Sequence, residues 1–409
     1  MCVEPSIWRR IDIMPAMQLI RLTLLLAAAS IAAAQSPAPV QPQSSTQAQQ
    51  VWQMQDSGTT AGLRGINSVD GAVAWASGTA GTVLKTIDGG AHWEKCAVPD
   101  AATDGATLDF RGVQAWDAQS AIVMASGPGE KSRLYKTTDG CKTWAVLFKN
   151  PDSPQGFFDS FHFPKMQSLH REHEGFGLLL GDPTGGRLVV FETRDGGDSW
   201  SRISSSVLDS LGVDPVAFAA SNSCISGSGG ATFYIVLGGK EGNLLLRLNY
   251  KGTWWTNDAS TLTRTWEKVS LPMAQGAEST GAFSHGIRFL VKYDTQKLHI
   301  LDFRFWEVAV GGDYTKPNDS TGTAAWSSDG GEHWTASTTP PHGFRSAVQW
   351  SESLKLWITV GTNGSDSSRD DGRTWQPLDD GNWNALSLPF VVGPNGRIAR
   401  LDTKALPKP

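Results

Sequence analysis

Thr86-Ile87-Asp88-Gly89-Gly90-Ala91-His92-Trp93 is the first of five similar octapeptides in this chain. TTDGCKTW at 137–144, TRDGGDSW at 193–200, SSDGGEHW at 327–334 and SRDDGRTW at 368–375 follow, and all fit Ser/Thr-x-Asp-x-x-x-x-Trp. Four of the five carry Gly at the fifth position, and Cys141 replaces it in the second. These residue types suit a reinforced hairpin turn. Hydroxyl and carboxylate bond to the turn backbone, Gly supplies a positive φ, and Trp packs the turn onto its sheet. Thr86, Asp88, Trp93, Thr137, Asp139, Trp144, Thr193, Asp195, Trp200, Ser327, Asp329, Trp334, Ser368, Asp370 and Trp375 are therefore read as structural staples, not catalysts.

With Trp as the ruler, Arg264-Thr265-Trp266-Glu267-Lys268-Val269 marks a degenerate sixth copy that keeps the strand and loses the acidic turn. Trp93, Trp144, Trp200, Trp266, Trp334 and Trp375 then lie 41 to 68 residues apart, a period that suits blades of four short strands. Beyond the last copy run Ala385–Leu388, Phe390–Val392 and Arg397–Leu401, a blade without its outer strand. Val51-Trp52-Gln53-Met54 has the form of the strands that follow each turn and is expected to supply it, removing the exposed edges of an open array. Independently, Gly78, Gly127, Gly181, Gly238, Gly312, Gly361 and Gly393 each follow an apolar run at a hairpin position. Both rulers give an all-β, seven-bladed β-propeller of four-stranded blades, closed by its N-terminal strand.

The chain has 409 residues, with 35 Lys+Arg against 40 Asp+Glu and no run of like charge, which argues against nucleic acid as a partner. Seventeen Trp and 44 Gly beside 5 Tyr fit one Trp-containing motif recurring among Gly-rich turns. The apolar run Leu22–Ala34 is too short to span a bilayer and ends in Ala32-Ala33-Ala34. It reads as a secretory signal over 1–34, cleaved after Ala34. Glu4 and Asp12 fit a positive n-region poorly, whereas a start at Met14 or Met17 leaves Arg21 directly ahead of the run. An uncleaved anchor is the alternative. Residues 35–50, rich in Gln, Pro and Ser, read as a disordered leader; 51–402 form the propeller and 403–409 a C-terminal tail. The mature protein is expected to be exported, periplasmic or extracellular, monomeric and without a transmembrane segment. Cys96, Cys141 and Cys224 remain after cleavage. Cys96 with Cys141 is the preferred disulfide because both lie near turns of adjacent repeats, and buried free thiols are the alternative. No spacing resembles a metal site, and no cofactor is expected.

The octapeptide is the Asp-box, or BNR repeat. With it, Gly181-Asp182-Pro183, Gly311-Gly312-Asp313-Tyr314-Thr315-Lys316-Pro317, Phe344-Arg345-Ser346-Ala347-Val348 and Gly361-Thr362-Asn363-Gly364-Ser365 make residues 51–402 resemble the photosystem II stability/assembly factor-like propellers. That resemblance implies a role as an assembly factor that binds protein partners without catalysis. Relatives of this type also carry oxidoreductase labels, but no G-x-G-x-x-G opens a helix here.

Propellers bind mainly at one face around the channel, so the inner strands are the place to look. Leu63-Arg64-Gly65-Ile66-Asn67, Phe110-Arg111-Gly112-Val113-Gln114, Phe158-Asp159-Ser160-Phe161-His162, Phe344-Arg345-Ser346-Ala347-Val348 and Trp383-Asn384-Ala385-Leu386-Ser387 superpose without gaps. Arg64, Arg111, Asp159, Arg345 and Asn384 are expected to ring one mouth, with His162 on the same strand as Asp159. In blade five, Ser284 and His285, or Arg288, or Arg304 can take this column. Arginine at a mouth suits an acidic peptide, a carboxylate or a glycan. An internal Arg/Asp network is the competing reading, and for His162, packing.

A second class is a sialidase-like glycoside hydrolase, which needs an Arg triad, a Tyr/Glu nucleophile pair and an Asp acid. Arg64, Arg111 and Arg345 can imitate the triad and Tyr314 the tyrosine, but the F-R-I-P signature is absent and no Glu is clearly its partner. Asp159, Asp182 and Asp313 can be combined as a hydrolytic carboxylate pair. Asp182 and Asp313 are more simply read as turn caps.

Overall fold

The computed structural model describes residues 50–164, 175–211, 216–227, 232–251, 263–294 and 299–407. The expected signal segment, and the leader up to residue 49, lie outside them. Among the described residues no helix is long and apolar enough to cross a membrane.

The described residues form seven antiparallel sheets of four strands each. Six sheets are built from consecutive strands, as hairpin-connected chains fold by default. The seventh takes Ala385–Ser387, Phe390–Val392 and Ile398–Leu401 from the C-terminus and Trp52–Gln55 from the N-terminus. Trp52 faces Leu401 in that ladder and Gln55 faces Ile398. The result is the seven-bladed propeller that repeat and glycine spacing predict.

In all five repeats the Ser/Thr hydroxyl donates to the Asp Oδ1 and accepts from the N–H four residues on, as Thr86 does with Asp88 at 2.8 Å and Gly90 at 3.0 Å. The same Oδ1 accepts from the amide before Trp, for example His92 N at 2.9 Å. Cys141, at the glycine position, takes φ +69° and is disulfide-bonded to Cys96, tying the first repeat to the second. Cys224 is free and buried.

The middle strands, such as Ala74–Gly78 and Ala121–Ala125, are buried on both faces because neighbouring blades cover each sheet, whereas outer strands such as Glu94–Lys95 and Ser201–Arg202 are exposed. Trp75, Trp357 and Trp383 are fully buried between blades. Blade five departs from the others: its inner hairpin, Thr280–Asp294 with His299–Asp313, has 15 residues per strand. Phe289 and Leu290 are exposed on that extension.

Candidate functional site

The inner strands of four blades are interrupted at one equivalent point. Leu63 pairs with Gly78 and Gly65 with Ser77, so Arg64 has no opposite residue. Arg111 is skipped in the same way, as are Asp159 and Phe283. An extra residue of this kind is a β-bulge, which kinks the strand and frees one side chain from the alternation of the sheet. The next position must be small: a Cβ on Gly65 would stand 2.6 Å from Ser77 Oγ, and one on Gly112 would stand 2.8 Å from Asn222 Oδ1.

The freed side chains meet in a cavity of about 420 Å³. Arg64, Arg111, Asp159, Asp182 and Asn384 supply its polar lining, and Phe157, Phe218, Phe283, Tyr314 and Phe344 its aromatic wall. Phe218 and Phe283 stack with centroids 3.9 Å apart, and Phe344 and Tyr314 stand edge-on to Phe283. Asn384 Nδ2 donates to Leu63 O at 2.7 Å, linking blade seven to blade one.

Two arginines share one carboxylate at the rim. Arg111 Nε donates to Asp109 Oδ2 at 2.8 Å, while Arg64 Nε lies 3.7 Å from Asp109 Oδ1. The Arg111 guanidinium also donates to Ala219 O at 3.3 Å and lies over the Phe157 ring. Deeper in, burial pushes the Asp159 carboxyl well above the usual carboxylate range; the nearby Asp182 charge adds to this and Arg111 opposes it. Burial raises Asp182 as well. Behind Asp159, burial first and the Asp159 charge second push the Cys224 thiol up to about 12.

The structure therefore brings together Arg64, Arg111, Asp159 and Asn384, and does not bring Arg345 or His162 with them. Arg345 is wholly buried, with Nε donating to Asp366 Oδ2 at 2.6 Å and Nη1 to Phe344 O at 2.6 Å. Asn363 and His342 complete its shell, so this arginine belongs to the internal network given above as the competing reading. The three arginines consequently do not assemble the triad that the glycosidase alternative requires. His162 packs edge-on against Phe233. Asp313 caps its turn, accepting from Thr315 N at 3.0 Å, whereas Asp182 faces the cavity instead.

Blade five also corrects an expectation. Phe283 holds the column, Ser284 follows at the small position with its hydroxyl accepting from Val348 N, and His285 is buried beyond it. Arg288 is instead clamped to Asp371 and stacked on Trp306, and Arg304 lies exposed on the long hairpin. The requirement for a small third residue, applied to Gly281-Ala282-Phe283-Ser284, contained the correct frame. Blade four contributes the apolar stretch Ala217-Phe218-Ala219-Ala220, which no sequence pattern singled out.

No family model matches the chain. It is 23% identical over 365 residues to the photosystem II assembly lipoprotein Ycf48 of Synechococcus sp. (strain CC9902), covering 85% of this chain and 87% of that protein. A solved structure of YCF48 bound to D1 peptide is similar with a TM-score of 0.53 and 18% identity, over 87% of this chain and 98% of that one. YCF48 from Cyanidioschyzon merolae gives a TM-score of 0.52 and 18% identity over 87% of this chain and 99% of that one. The chain is a seven-bladed β-propeller homologous to Ycf48.

Proposed function

We propose that this protein is an exported, non-enzymatic assembly factor that binds a protein partner at the bulge-lined cavity, taking up an acidic peptide segment or carboxylate. The observation that carries this reading is the charge balance of the rim, where Arg64 and Arg111 converge on the single carboxylate of Asp109. One guanidinium is thus left with unfilled donors facing an open, aromatic-walled cavity, the setting in which arginine grips carboxylates. The description of a solved YCF48 structure as bound to D1 peptide supports peptide binding on this frame. The five repeats act in this reading as Asp-box staples, and the apolar run at 22–34 as the export signal.

The test is fluorescence anisotropy of a labelled, glutamate-rich peptide against the purified propeller. Arg64→Ala and Arg111→Ala are each expected to weaken binding by about tenfold or more, the scale of one charge-assisted hydrogen bond. Equal affinity for wild type and both variants would remove the cavity from the partner site. Preferential capture of a glycan array over the peptide would redirect the ligand class.

A further inference from the structure

The cavity is lined by two kinds of charged group, and the arginines account for only one. Asp159 is 2% exposed, and its Oδ2 has no hydrogen-bond partner among the described residues. A buried carboxyl oxygen left unpaired is costly, and the residue that carries it lines the cavity, which points to a group that arrives from outside. Asp182 lines the same cavity and is close enough to act electrostatically on Asp159. The rings of Phe218, Phe283, Tyr314 and Phe344 line the same cavity. Carboxyl oxygens in an aromatic-walled cavity suit an alkyl stem that ends in a positive charge. The stem packs on the rings, the rings attract the cation by their quadrupoles, and the ammonium N–H groups fill the acceptors.

We propose that this cavity holds a seat for a primary alkylammonium group, the side chain of a lysine in the bound partner, held by Asp159 and Asp182. The proposal rests on the cavity being the partner site, but not on the preference of the rim for acidic groups. It makes the recognised segment dipolar, with its anion at Arg64 and Arg111 and its cation at Asp159.

Other charged groups decide the sign of the pH effect. Arg111 and Arg64 oppose the incoming cation, whereas Asp109 and Asp182 favour it; Cys224 faces Asp159 from blade four and is uncharged over the working range. Burial raises both carboxyls, and the charge of Asp182 raises Asp159 further, so the protonated forms are favoured in the empty cavity. An ammonium seated there favours the ionised form, so binding releases protons and tightens as pH rises towards neutrality.

The experiment uses n-pentylammonium chloride and sodium pentanoate as probes on the propeller, followed by isothermal titration calorimetry in two non-amine buffers of different ionisation enthalpy near pH 6. Pentylammonium is expected to bind wild type with proton release and to bind Asp159→Asn at least tenfold more weakly, whereas pentanoate, whose arginine partners lose a competing carboxyl, is not weakened by that substitution. Asn is the isostere of the protonated carboxyl, and Asp182→Asn is a second variant expected to act in the same direction. Circular dichroism establishes that both fold. Equal pentylammonium affinity in wild type and both variants, or proton uptake on binding, overturns the seat. Pentanoate binding that is lost in Arg64→Ala but not weakened in Asp159→Asn, with no pentylammonium binding, overturns the seat while leaving the acidic-ligand reading standing. Pentylammonium binding that depends on Asp159, without any pentanoate binding, supports the seat and removes that reading.

Discussion

Trp52 lies across the ladder from Leu401, and its indole N–H donates to Ser365 Oγ of the neighbouring blade at 2.9 Å. The first described strand thus completes the last blade and bonds to the sixth, while its ring meets Trp383 at 6.1 Å. Replacing this 3%-exposed side chain by Ala is expected to cost about 3–5 kcal/mol. The check is the urea midpoint of Trp52→Ala, and an unchanged midpoint would mean that the seam does not contribute to stability.

The repeat turns should make the protein acid-sensitive. Asp139 is lowered to about 2, first by the Thr143 hydroxyl and then by the Thr143 amide, and Asp88 is lowered chiefly by the His92 amide. In both, the folded pKa lies below the unfolded one, so their stabilisation is present above about pH 4 and is lost as pH falls towards 2. Stability measured from pH 5 to 2 should therefore fall with pH. The fall should be shallower in the Asp88→Asn, Asp139→Asn double variant, and parallel curves would contradict the assignment.

Reduction of Cys96–Cys141 should destabilise the first two blades. The bond spans a sequence separation of 45 residues, for which chain entropy predicts about 4 kcal/mol. Cys141 also holds φ +69°, where a Cβ costs about 1 kcal/mol. Under reducing conditions Cys141→Gly should accordingly be more stable than Cys141→Ala by about that amount in urea titrations. The reverse order would show that the turn has shifted.

Arg345 and Arg64 share a column but should behave oppositely. Arg345→Ala strands the wholly buried carboxylate of Asp366 and should cost about 3–5 kcal/mol. Arg64→Ala, with its side chain 35% exposed, should stay within about 0.5 kcal/mol of wild type. Differential scanning calorimetry of the two variants decides this, and equal melting temperatures would contradict the buried network.

Blade number, closure and turn chemistry were legible because Trp52, the seven glycines and the Ser/Thr-x-Asp turns act locally, each residue determining its own hairpin. The mouth was legible only where its residues were polar. Arg64, Arg111, Asp159 and Asn384 stood out against an apolar background, whereas Phe283 at the same bulge looked like core. Arg345 was misplaced for a different reason. Its exposure depends on Asp366, a residue on the third strand of its own blade that meets it only after the hairpin closes. The stretch 217–220 follows no repeat, so periodicity did not reveal that it reaches the cavity.

Under the proposed function, the bulges separate the requirements of folding from those of recognition. Arg64, Arg111, Asp159 and Phe283 stand opposite no residue in their ladders, so drift at these four sites leaves strand pairing intact while changing what the cavity accepts. On that proposal, a lineage of such propellers can exchange partners one side chain at a time, with its frame held constant by the turns that join the third and fourth strands of the blades.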